Sequence, residues 1–158
     1  MIDHRPTIHG RPTRPLPNPP RSGPLWFRKG FVSNRVLLVD DHKETRLALR
    51  SLLAEGPVEV CGEAANGREA VEQVRELHPD LVVLDLVMPV LSGLEAAYEI
   101  RRASPQTKII FFSMHDAPRS PRTTAIFAAD AFVAKTDAAQ LRSEIERLLR
   151  LRNFNPPA

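Results

Sequence analysis

Two features of this sequence predict a doubly wound α/β sandwich. Five short apolar runs recur between residues 36 and 134, and segments of helical periodicity separate them. A length of 158 residues, 42% apolar and 26% charged, suits one ordinary globular domain with an appendage.

The apolar runs are Val36–Val39, Val58–Cys61, Leu81–Leu84, Ile109–Phe112 and Ala131–Ala134. They are short, rich in β-branched residues and apolar on both faces. Strands of that kind are buried parallel strands, and parallel strands need helical crossovers. The intervening segments supply them: Ala70, Val74 and Leu77 share one helical face, and Leu141, Ile145, Leu148 and Leu149 share another. Asn66 with Glu69, Ser92 with Glu95, and Asp137 with Gln140 each predict a helix start with a capping side chain and its reciprocal partner. Pro121 after Ser120 predicts a further start between the fourth and fifth strands. Five βα units therefore span residues 35–152, followed by a tail over 153–158.

Residues 1–34 differ in kind. They hold 7 of the 15 prolines, and six of the 22 basic residues (Arg5, Arg11, Arg14, Arg21, Arg28, Lys29) against one acid, Asp3. Such a segment lacks helix donors and buries little apolar surface, so a disordered Pro/Arg-rich extension is expected. Trp26 and Phe27 are isolated aromatics within it. Val32-Ser33-Asn34 stands directly before the first strand, which raises the expectation that native translation starts at Val32; an intact mass of the native protein decides this. The rest of the chain carries 16 basic and 18 acidic residues, so the basic pI belongs to the extension and the body has no charge excess suited to nucleic acid. One cysteine, Cys61, excludes an internal disulfide, and no apolar run reaches the ~18 residues of a membrane span. A cytoplasmic protein without a membrane segment is the expectation.

In an open parallel sheet, ligands bind beyond the carboxyl ends of the strands. The first strand here ends in Asp40-Asp41, the third in Asp85, the fourth in Ser113 and the fifth in Lys135. Singly, each is an ordinary turn former or solvated side chain. Together, three carboxylates at one rim stay ionised only around a cation, and hard oxygen ligands suit Mg²⁺. A lysine and a hydroxyl alongside suit phosphoryl oxygens.

These elements resemble the receiver domains of response regulators. The matching residues are Val39-Asp40-Asp41-His42, Asp85-Leu86-Val87-Met88-Pro89, Ser92-Gly93, Ser113-Met114-His115 and Phe132-Val133-Ala134-Lys135, in family order across 35–152. The resemblance implies a flavodoxin-like (βα)5 fold with strand order 2-1-3-4-5. It implies that Asp85 is the phosphoacceptor for a histidine kinase or histidine phosphotransfer protein. It further implies that Asp41, Asp85 and the backbone carbonyl of Val87 ligate Mg²⁺ directly, with Asp40 acting through water. Lys135 and Ser113 are then the partners of the phosphoryl oxygens, and Phe132 is the aromatic that moves with Ser113. Asp40-Asp41-His42, Ser113-Met114-His115-Asp116 and Thr136 after the lysine resemble receivers of the LuxR/NarL type. With only 153–158 beyond the last helix, no DNA binding is expected from this chain. Instead, an unidentified protein target is expected, with homodimerisation through the last two helices as a family option.

Several residues depart from the family pattern or compete for attention. Ala128 stands where a glycine is usual, and Pro118 and Pro121 crowd the fourth helix region. Val87 places an apolar side chain beside the phosphoryl site. His42 and His115 read as polar residues of a helix start and a loop, Cys61 as a core hydrophobe in a buried strand, and Ile126, Phe127 and Leu148–Leu151 as mostly core. Two other readings compete. A haloacid-dehalogenase-like phosphatase also uses a strand-end Asp with Mg²⁺, but its D-x-D motif would need an acid at Val87. A receiver-shaped binding module independent of phosphorylation would need none of the site residues.

Overall fold

The computed structural model of the chain describes residues 34–114 and 127–150. The expectations for Trp26, Phe27, His115, Pro118, Pro121, Ile126 and the terminal segments lie outside these residues. Among the described residues are five strands and four helices, alternating except that the fifth strand follows the fourth directly. The strands are β1 (Asn34–Val39), β2 (Val58–Ala64), β3 (Leu81–Leu84), β4 (Lys108–Ser113) and β5 (Ala131–Ala134). The helices are α1 (Lys43–Leu53), α2 (Gly67–Leu77), α3 (Gly93–Ala103) and α4 (Ala138–Leu149). All strand pairs are parallel and the sheet order is β2-β1-β3-β4-β5.

Period-two alternation along the strands divides the interior into two cores, one on each face of the sheet. Leu37, Val39, Val82, Leu84, Ile109 and Phe111 point to one side, against Ala70, Val71 and Val74 of α2 and Ala96, Ala97 and Ile100 of α3. Val36, Leu38, Leu81, Val83, Ile110 and Phe112 point to the other, against Leu49 and Leu53 of α1 and Leu141 and Ile145 of α4. Because both faces are covered, the inner stretches of the three central strands, Val36–Val39, Leu81–Leu84 and Ile109–Phe112, can be apolar at every position. Phe127 joins the first core, and Leu148 and Leu149 join the second as partly buried members.

β2 differs from expectation. It runs three residues past Cys61, through Gly62-Glu63-Ala64, with a register shift between Val36 and Leu37 that leaves Cys61 without a counterpart on β1. As an edge strand it is mostly half-buried, so Cys61 is a partly buried residue of an edge strand and not a fully enclosed one. Glu63 was invisible as a strand residue because its side chain serves ion pairs on the solvated side.

The helix starts follow their caps. Ser92 and Glu95 form the complete reciprocal box. Asn66 accepts the Glu69 N–H, but the Glu69 carboxylate reaches back to the N–H of Ala65, one residue before the cap. Asp137 accepts the N–H of Gln140.

Candidate functional site

From β1 the chain winds one way to β2 and the other way to β3, so the crevice beyond β1 and β3 is the switch point of the sheet. Asp40 and Asp41 follow β1 and Asp85 follows β3 at that crevice; Ser113 closes β4 and Lys135 follows β5. Backbone bonds fix these ends. Asp85 N–H donates to the Val39 carbonyl (2.9 Å), Asp40 N–H to that of Ala64 (3.1 Å), and Lys135 N–H to that of Ser113 (2.9 Å).

Asp40 is 1% exposed and Asp85 5%. Carboxylates buried that far need partners. Lys135 supplies one to both, with Nζ 2.5 Å from Asp40 Oδ2 and 3.3 Å from Asp85 Oδ2. The His42 N–H donates to Asp40 Oδ1 (2.9 Å), and its ring Nδ1 lies 3.2 Å from that oxygen and 3.1 Å from Asp41 Oδ1. His42 is the residue before α1, as expected, yet its ring makes no bond to the helix N-terminus and turns to the two carboxylates instead.

Burial pushes the Asp85 carboxyl above its ordinary pKa; the Lys135 ammonium pulls it back, and the charge of Asp40 adds to the rise. Burial pulls on Lys135 in the opposite sense, but its bond to Asp40 and the charge of Asp85 outweigh this and hold the ammonium above its ordinary value. The lysine therefore remains a cation at neutral pH, placed between two acids.

Ligand atoms of Asp40, Asp41, His42 and Asp85 all lie within 4.8 Å of one another. Three hard carboxylate oxygens in that space fit Mg²⁺, an ion that usually completes its shell with waters. Val87, two residues beyond Asp85, turns its side chain outward and is 63% exposed. Ser113 is buried and pairs with Ala134, the residue before Lys135. Phe132 is half-buried, stacked on Phe111 at 5.1 Å and met edge-on by Phe127 at 5.5 Å.

The loop after Asp85 is held by close backbone approach. Gly93 N–H donates to the Leu86 carbonyl (2.9 Å), and a Cβ on Gly93 would strike the carbonyl of Asp85. Gly67 meets the same loop at the Leu91 carbonyl, which accepts its N–H at 3.1 Å. Only glycine leaves room for the backbones at these two contacts.

Of the residues expected from the sequence, the fold brings Asp40, Asp41, Asp85 and Lys135 together, while Ser113 closes β4, Val87 follows Asp85 by two residues and Phe132 lies on β5. Besides the turn of His42, two further contacts were not expected. One is the direct grip of Lys135 on Asp40. The other is Arg46 of α1, whose guanidinium donates to the Asp40 backbone carbonyl at 2.6 Å. The sequence places an arginine four residues after His42, one helical turn from the rim, but not the atom that it grips.

Comparison with known proteins agrees. Residues 36–146 match the family model described as the response regulator receiver domain. The chemotaxis protein CheY of Thermotoga maritima is 45% identical over 82 residues, covering 52% of this chain and 68% of CheY. A protein-glutamate methylesterase/protein-glutamine glutaminase of Methanosarcina acetivorans is 37% identical over 125 residues, covering 77% of this chain but only 36% of that protein. Among solved structures, a LuxR-family two-component response regulator from Aurantimonas sp. SI85-9A1 superposes with a TM-score of 0.65 at 36% identity, covering 78% of this chain and 89% of that one. The response regulator domain of Thermotoga maritima CheB gives 0.67 at 30% identity, covering 75% and 98%. With the fold, the strand order and the acidic rim in agreement, the chain belongs to the response-regulator receiver family of two-component signalling.

Proposed function

We propose that this chain is a receiver that accepts a phosphoryl group on Asp85 from a phosphohistidine of a histidine kinase or phosphotransfer protein. The observation that carries the reading is Lys135 set between Asp40 and Asp85, with Asp41 in the same cluster. Asp41, Asp85 and the Val87 carbonyl would hold Mg²⁺, with Asp40 acting through water; the ion would neutralise charge on the transferring oxygens. The carboxylate of Asp85 needs no general base, because it is already a nucleophile. As its oxygen bonds to phosphorus, the P–N bond to the donor imidazole breaks and the electron pair returns to the ring nitrogen. Lys135 pairs with the phosphoryl oxygens, Ser113 donates its hydroxyl to them, and Phe132 follows Ser113.

In this reading residues 1–34 are a Pro/Arg-rich extension whose last residue, Asn34, already opens β1, 35–152 are the receiver and 153–158 a tail. No helix among the described residues is long and apolar enough to cross a membrane. We place the chain in the cytoplasm, with a protein target as its output and no turnover of its own beyond self-phosphorylation and self-dephosphorylation. The test is intact mass after incubation with acetyl phosphate. A gain of ~80 Da that requires both Mg²⁺ and Asp85 is expected. No gain in the wild type, with beryllofluoride also leaving the spectra unchanged, would make the chain a binding module independent of phosphorylation.

A further inference from the structure

Asp40 is held more completely through its backbone than the acid cluster alone requires. Its N–H is taken by Ala64 at the end of β2, and its carbonyl is taken by Arg46 Nη1 at 2.6 Å. The Arg46 side chain is only 15% exposed, and its Nε donates to Glu63 Oε2 at 3.2 Å. Glu63 is held in turn by Arg50 Nε at 2.8 Å, while its own carbonyl accepts from Gln73 at 2.6 Å. The bond from Arg50 comes first among the influences that keep the Glu63 carboxyl below its ordinary range, outweighing its burial, so it stays an anion opposite two guanidiniums. The carbonyl that Arg46 grips belongs to the peptide joining Asp40 to Asp41. Fixing that peptide plane fixes the direction in which Asp41 leaves the chain.

We infer that Arg46, braced and neutralised by Glu63, is a positioning residue that orients the Asp40-Asp41 pair for divalent cation. The inference rests on the Mg²⁺ reading above. The guanidinium is suited to the task because two of its nitrogens donate in fixed directions, which a lysine cannot reproduce. Its positive charge beside a cation site would be a liability if unopposed, and Glu63 opposes it.

Isothermal titration of the full chain with Mg²⁺ at constant ionic strength tests this, with far-UV dichroism to show that each variant is folded. Arg46→Lys keeps the charge and loses the two-pronged geometry, so the Kd for Mg²⁺ rises about tenfold. Glu63→Gln removes the brace and leaves the guanidiniums uncompensated, so Kd rises in the same direction and more steeply at low salt. Arg50→Gln removes the other ion pair of Glu63 and leaves both bonds of Arg46 in place, and its Kd stays within about twofold of wild type. A folded Arg46→Lys chain with wild-type Kd overturns the inference, as does an Arg50→Gln chain that loses as much affinity. If Arg46→Lys does not fold, wild-type affinity in Glu63→Gln overturns it equally. A wild-type chain that takes up no Mg²⁺ overturns the metal reading itself, and this inference with it.

Discussion

Asp85 carries a charge that its surroundings resist, and this has a measurable cost. Burial makes the folded chain hold the Asp85 proton to higher pH than the unfolded chain does. That contribution therefore favours the fold at low pH and is lost as pH rises through the interval between the ordinary and the raised pKa. Asp85→Asn has no charge to penalise. Without Mg²⁺ its Tm at neutral pH is expected to exceed that of the wild type, with the gap closing as pH falls below the ordinary carboxylate range; paired melting curves across pH check this. Backbone strain is the second residue-scale cost. Val90 has φ 69° in a turn closed by the Leu91 N–H on the Pro89 carbonyl, and Ala128 has φ 55° before β5. Left-handed backbone costs an L-residue about 1–2 kcal/mol, and β-branching adds to it. Ala128→Gly should stabilise by about 0.5 kcal/mol after the entropy of the unfolded glycine is deducted, and Val90→Gly by more. Urea unfolding measures both. The unusual Ala128 was readable in the sequence. The strain at Val90 was not, because an exposed valine after Met88-Pro89 carries no mark of its φ.

At the scale of elements, the sequence patterns translate into structure through capping and alternation. The start of α3 is the most fully specified. Ser92 closes a reciprocal box with Glu95, and Gly93 lets the helix approach Asp85. Ser92→Ala should lower stability by about 1 kcal/mol in urea unfolding. Gly93→Ala should cost more and also weaken phosphorylation, since its Cβ meets the backbone of the acceptor. The central strands were legible because double-sided burial leaves an uninterrupted apolar run. β2 was read short because an edge strand bound on one side can carry Gly62 and Glu63 without losing its pairing.

For the whole molecule, the strand order is what assembles the candidate site. It brings Asp40, Asp41 and Asp85, distant in sequence, to one switch point and sets Lys135 across from them. The acidic rim could be read from strand ends alone, because each acid directly follows an apolar run. What could not be read is how the rim is held together: the Lys135 bond to Asp40, the turn of His42 toward the carboxylates, and the reach of Arg46 to the Asp40 carbonyl. Those are side-chain directions across different elements, and sequence spacing does not encode them. The central claim is that the phosphoryl group resides on Asp85, and chemical trapping tests it most directly. The chain is treated with acetyl phosphate and Mg²⁺, reduced with borohydride, which converts an aspartyl phosphate to homoserine, and sequenced by fragment mass. Homoserine at position 85 is the expected result. Reduction at Asp40 or Asp41, or at no carboxylate, would contradict it.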